Sequence, residues 1–69
     1  MTTTNKATAT YKVLNSTTAL VTVDYSNGRF GMERVTRARN GSLYEAAFSA
    51  ASVKAAVQGD RLERFSEES

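Results

Sequence analysis

Cysteine, histidine, proline and tryptophan are all absent from the chain. Without cysteine there is no disulfide framework, and without cysteine and histidine the usual zinc, haem and iron–sulfur ligand sets are excluded. The same absence removes the nucleophile and base of most catalytic triads, leaving carboxylates, lysine and tyrosine for acid–base work. The carboxylates Asp24, Glu33, Glu45, Asp60 and Glu63 are scattered along the sequence, so neither a paired acid and base nor an oxygen-ligand metal site is legible. Glycine is sparse too: Gly28, Gly31, Gly41 and Gly59 fall in neither a GxGxxG nor a phosphate-loop spacing. These absences lead to the expectation of a protein that is not an enzyme and holds no cofactor or metal.

Long apolar runs are also missing. No stretch approaches the roughly 18 to 20 residues of a membrane span, and Met1 to Ala9 lacks the charged and apolar regions of a signal peptide. The expectation is a soluble, cytoplasmic protein with no membrane partner, although the lack of cysteine leaves the redox compartment open. At 69 residues the chain has room for one domain with a thin core, and with no disulfide or metal a second subunit is the remaining staple, so a homodimer is expected. Nine Lys and Arg against seven Asp and Glu give a formal net charge of +2, compatible with nucleic acid without requiring it.

What is present organises around Asn40 to Gly59. Ser42 followed by Glu45 is a capping-box spacing, six alanines fill the interior, and Gly59 suits a C-terminal cap in the left-handed region. A helix over 43–58 follows. The competing reading, an Asn40-Gly41 hairpin turn with a strand over 43–48, sets two alanines in a short strand and leaves the capping box a coincidence. Around the helix, Glu45, Ser49 and Ser52 make a narrow polar stripe. Leu43, Ala46, Ala50, Val53 and Val57 form one apolar flank, and Tyr44, Ala47, Phe48, Ala51 and Ala55 the other. That arc is wide for a helix lying on one core. Either alanine simply tolerates both environments or the second flank meets another chain.

Before the helix the pattern alternates with period two. Ala7, Ala9, Tyr11 and Val13 define one strand face, and Ala19, Val21, Val23 and Tyr25 another. Joined through Asn15 to Thr17, these strands place Tyr11 beside Val21 and Val13 beside Ala19. Asn27-Gly28 is a hairpin signal. A two-residue turn there pairs Tyr25 with Phe30, Val23 with Met32 and Val21 with Arg34, apolar on apolar. Gly31 permits a close approach or a bulge. After Gly59, Asp60 to Glu63 repeats a cap-like spacing and Leu62 and Phe65 share a helical face, which suggests a short second helix. A fourth strand is the alternative, but Leu62 and Phe65 would not share a strand face. The fold expected is therefore α+β, a two-layer β-β-β-α unit with a three-stranded antiparallel meander on one long helix. Residues 1–6 read as a disordered lead, 7–66 as the single domain and 67–69 as a frayed acidic tail.

Two surfaces compete for function. In the expected register Leu14, Leu20 and Val35 lie close together on the outer face of the sheet, rimmed by Lys12, Thr22, Glu33 and Arg37, which is the composition of a small protein interface. The expected function is a non-enzymatic binding protein that occupies a surface of a larger protein, a regulator or inhibitor of the kind phages and mobile elements carry. The alternative is a nucleic-acid-binding protein using Arg29, Arg37 and Arg39 on the third strand and the linker after it. At the level of architecture that layout is similar to plant AP2-type and integrase arm-binding domains, without the tryptophans or other motifs of those families.

Overall fold

In a computed structural model, which describes residues 5–68, strands β1 (Asn5–Val13), β2 (Thr18–Asp24) and β3 (Phe30–Thr36) form the antiparallel meander. Helix α1 (Leu43–Val57) packs on one face, and strand β4 (Asp60–Glu67) completes a sheet of order β3-β2-β1-β4. The α+β, two-layer class holds with four strands rather than three, and β4 runs parallel to β1. β1 begins at Asn5, so Asn5 and Lys6 belong to the sheet, while Met1–Thr4, the rest of the lead, lie outside the described residues. At the other end Glu67 is the last residue of β4 and the Glu68 amide donates to the Tyr11 carbonyl at 2.7 Å. Ser69 lies outside the described residues.

The second helix expected after Gly59 is thus a strand, and a bulge explains why its spacing misleads. Ala7 pairs with Leu62 but Thr8 pairs with Arg64, so Glu63 is an extra residue in β4. One inserted residue shifts the alternation by one place. Leu62 and Phe65, three apart, are thereby both turned toward the helix and both pack on the core. A spacing of three mimics one helical turn, which is how the strand resembles a helix in sequence.

The β2–β3 register also differs from the expected one. The β1–β2 pairing is as expected, with Tyr11 opposite Val21 and Val13 opposite Ala19. In β2–β3, however, Val23 faces Gly31, Thr22 faces Met32 and Asp24 faces Phe30, one residue away from the two-residue-turn register. The cause is the loop. The Tyr25 amide donates to the Arg29 carbonyl at 2.8 Å, the Gly28 amide donates to the Tyr25 carbonyl at 3.1 Å, and Gly28 alone of the loop takes a positive φ, of 87°. This is a three-residue loop with glycine at its left-handed position, not a type I′ turn, which would need Asn27 at positive φ as well. Asn27 instead caps the loop by accepting the Arg29 amide at 2.9 Å. The slip exchanges the faces of β3: Phe30, Met32 and Arg34 turn outward, while Gly31, Glu33 and Val35 turn toward the helix. Gly31 lets the Tyr25 ring lie close over β3, where a Cβ would come within 2.8 Å of the Tyr25 hydroxyl and displace it.

The helix forms where expected. Ser42 accepts the Glu45 amide at 3.0 Å, and Gly59 leaves the helix at φ 78°. Ala47, Ala51 and Ala55, one turn apart, are fully buried and let the helix lie close on Val21 and Val23, the largest fully buried side chains. The remaining core positions are Ala7, Ala9, Tyr11, Ala19 and Val35. The apolar arc on the Tyr44 and Phe48 side is met in part by β4, although Tyr44 and Phe48 stay 51% and 44% exposed. Rings of Tyr11, Tyr44, Phe48 and Phe65 pack with centroids 5.1 to 6.2 Å apart, stacked and edge-to-face. Asp60 is buried at the start of β4 and accepts both the Ser26 amide, at 2.9 Å, and the Ser26 hydroxyl, at 2.8 Å, clasping the β2–β3 loop to β4.

Candidate functional site

The helix covers one face of the sheet, and among the described residues nothing buries a side chain on the other. The strand registers give that open face its rows. Phe30, Asp24, Thr8 and Arg64 lie across the four strands in one row, and Met32, Thr22, Thr10 and Ser66 in the next. Arg34, Leu20 and Lys12 follow, and Lys6 lies beside Arg61 at the opposite end. Phe30 is 64% exposed and Met32 51% exposed, so the two largest apolar side chains of β3 stand in solvent on this face.

Charge is segregated between the two sides of the molecule. The open face carries Lys6, Lys12, Arg34, Arg61 and Arg64 against Asp24, with Glu63 at its bulged margin paired to Lys6 at 3.7 Å. The helix side carries Glu33, Glu45, Asp60 and Glu67 against Lys54, which pairs with Glu33 at 3.4 Å. A small net charge thus conceals a cationic face and an acidic one. Tyr11 lies on the acidic side and donates from its hydroxyl to Glu67 at 3.3 Å. Burial, and then the Glu67 carboxylate, holds its phenol above the ordinary tyrosine range.

Of the residues expected to form an interface, Leu20 and Lys12 are directly opposed neighbours on the open face. Leu14 is 44% exposed in the β1–β2 loop, beyond the end of β1. Val35 is a correction: it is only 8% exposed and sits opposite Ala19 in the core, carried there by the register slip. Arg37 is also off the face. Its amide donates to the Thr17 carbonyl and its guanidinium reaches the Gly41 carbonyl, at 2.9 and 3.5 Å, in the loop leading to the helix.

The arginines of the nucleic-acid alternative do not converge. Arg29 belongs to the β2–β3 loop while Arg37 and Arg39 follow the far end of β3, roughly 25 Å away at about 3.3 Å per residue. The face residues that sequence reasoning missed are Phe30, Met32 and Arg34, misplaced by the turn type, and Arg61 and Arg64, misplaced by the helical reading of β4. The three-residue loop was compatible with Asn27-Gly28 throughout, so only the β3 set had a signal in the sequence. Among the described residues no group of three or more Asp and Glu side chains is placed to hold a metal. No described helix is long and apolar enough to cross a membrane. Comparison of the chain with protein-family models, curated proteins and solved structures gives no match.

Proposed function

We propose that the chain is a small non-enzymatic binding protein whose open sheet face docks on an acidic surface of a larger protein, as a regulator or inhibitor does. The observation that supports this is the composition of that face: apolar Leu20, Met32 and Phe30 among Lys12, Arg34, Arg64, Lys6 and Arg61. Apolar anchors supply desolvation, and surrounding cations select and steer an acidic partner. A nucleic-acid backbone fits less well. Asp24 stands beside Phe30 within the face, and uncharged Thr10 and Thr22 separate Lys12 and Arg34 from Lys6, Arg61 and Arg64.

The test compares a tagged wild-type chain with two variants, Leu20→Asp on the open face and Ser49→Asp on the helix. Each is used to capture partners from extract with and without nuclease treatment, and the captured protein is then purified and titrated. The reading expects one protein that binds wild type and Ser49→Asp alike, binds Leu20→Asp at least about tenfold more weakly, and loses affinity with salt. A partner indifferent to Leu20→Asp would overturn it. So would binding that disappears with nuclease and follows a salt slope of roughly 0.9 per neutralised phosphate, which would assign the face to nucleic acid.

A further inference from the structure

Both edges of the sheet are strands, and they end the sheet in different ways. β4 is bulged at Glu63 and lined with Arg61, Glu63, Arg64 and Glu67, the features that prevent a further strand from adding. β3 pairs with β2 without interruption over its whole length and has neither bulge nor proline. Its backbone groups can be assigned. Tyr25 with Arg29 and Thr17 with Arg37 are bonded pairs at its two ends. Because bonding alternates along an antiparallel strand, Gly31, Glu33 and Val35 direct their amides and carbonyls at β2. Phe30, Met32, Arg34 and Thr36 direct theirs outward.

Beside this edge, between β3 and α1, runs an open groove of about 460 Å³ in which apolar Val35, Ala46, Ala50 and Val53 alternate with polar Glu33, Arg34, Thr36 and Ser49. Val53 is 60% exposed at its rim. An unpaired strand next to a groove of mixed polar and apolar lining is the geometry of strand addition, in which main-chain hydrogen bonds give affinity and the groove receives side chains.

We propose that the occupant of this edge is a second copy of the chain, joined through β3 to β3 in an antiparallel pair centred on Met32. Closure into a dimer requires a two-fold axis, so the added strand runs antiparallel and each residue faces one on the same side of the sheet. Three such registers use most of the strand, centred on Met32, Glu33 or Arg34. The second opposes Glu33 to Glu33 and the third opposes Arg34 to Arg34, like charges directly across the pair. The register on Met32 opposes the two methionines, sets Phe30 against Arg34 of the second copy and Gly31 against Glu33, and brings no like charges together. An aromatic face against a guanidinium is favourable. Both helices then lie on the same side of one eight-stranded sheet, with the two grooves and their Val53 side chains adjoining. The core is thin, since among the described residues the only fully buried side chains larger than alanine are valines, and such a core gains from a second copy.

The test is the solution mass of the full chain and of two variants. Met32→Pro removes an outward amide that makes no bond to β2, a position an edge strand tolerates, and so blocks pairing while leaving the sheet intact. Met32→Lys keeps the amide and places two positive charges across the axis. Sedimentation of wild type at high micromolar concentration is expected to give about 15 kDa, twice the chain mass of 7.5 kDa. Both variants are expected to sediment as monomers with unchanged circular dichroism. A Met32→Cys chain is expected to form an intermolecular disulfide under mild oxidation, while Glu63→Cys at the other edge is not. A monomeric wild type, or a dimer that survives both substitutions at Met32, would overturn the proposal. Should Met32→Pro fail to fold, Met32→Lys and the cysteine pair decide the outcome.

Discussion

At the β4 edge Phe65 is locked between Tyr11, Tyr44 and Phe48, Asp60 holds the β2–β3 loop through both groups of Ser26, and the Glu68 amide is tied to β1. At the β3 edge Phe30 and Met32 stand in solvent, and Lys54 with Glu33 is the ion pair that joins helix and strand. Both edges carry aromatic residues, but only one uses them to hold the domain together. Aromatic content therefore does not report where stability lies; the direction of the side chain does, and here direction is set by a bulge in one strand and a loop type before the other. Aromatic packing is concentrated at β4, whereas at β3 Phe30 and Met32 leave apolar surface exposed on the open face.

A matched loss of aromatic side chains tests this contrast most strongly. Phe65→Ala opens the four-ring cluster and is expected to cost about 2 to 4 kcal/mol in urea unfolding, toward the lower end for a ring that is half-buried. Phe30→Ala, in chain diluted to the monomer, is expected to change stability by no more than about 0.5 kcal/mol. Equal losses at the two positions would mean that β3 holds the domain as firmly as β4 does.

Asp60 sharpens the same comparison at a smaller scale. Asp60→Ala leaves the Ser26 amide and hydroxyl without their acceptor and is expected to cost about 1 to 3 kcal/mol. Hydrogen exchange at Ser26 should accelerate by more than at Thr17 in the opposite loop. Uniform acceleration would show that the clasp acts on the whole domain rather than on that end.

The smallest effect is on alkaline stability. Because the Tyr11 phenol is raised in the folded state, the folded chain holds a proton that the unfolded chain has released once pH passes the ordinary tyrosine value of about 10. Its contribution is fully present below that pH and falls as pH rises through the folded value. Tyr11→Phe is expected to flatten the decline in unfolding free energy above about pH 10. An unchanged slope would show that the Tyr11 phenol does not carry the alkaline loss.

Much of this architecture is legible in the sequence, and the failures share a cause. Period-two alternation places Tyr11 opposite Val21, and Ser42, Glu45 and Gly59 bound the helix, because these signals are local and have one structural solution. Asn27-Gly28 has two solutions, a two-residue and a three-residue loop, which differ by one residue of register. Matching large apolar residues favours the wrong one. Pairing Val23 with Gly31 wins because Tyr25 can then lie over Gly31 and Val35 can fill the core against Ala19. Leu62 and Phe65 mislead in the same way, since a bulge that brings residues three apart onto one face leaves no mark in composition. Leu20 and Lys12 on the open face depended on the β1–β2 register alone and were legible; Arg34, Met32 and Phe30 depended on β3 and were not.

In the proposed function the open face, rather than the helix or the loop arginines, meets a partner protein. Amide chemical-shift mapping on labelled chain, titrated with the captured protein, tests it residue by residue. Shifts are expected to concentrate on Lys12, Leu20, Met32, Arg34 and Arg64, with Ser49 and Ser52 on the helix unmoved. Shifts confined to the polar stripe of the helix, or to Arg29, Arg37 and Arg39, would contradict it.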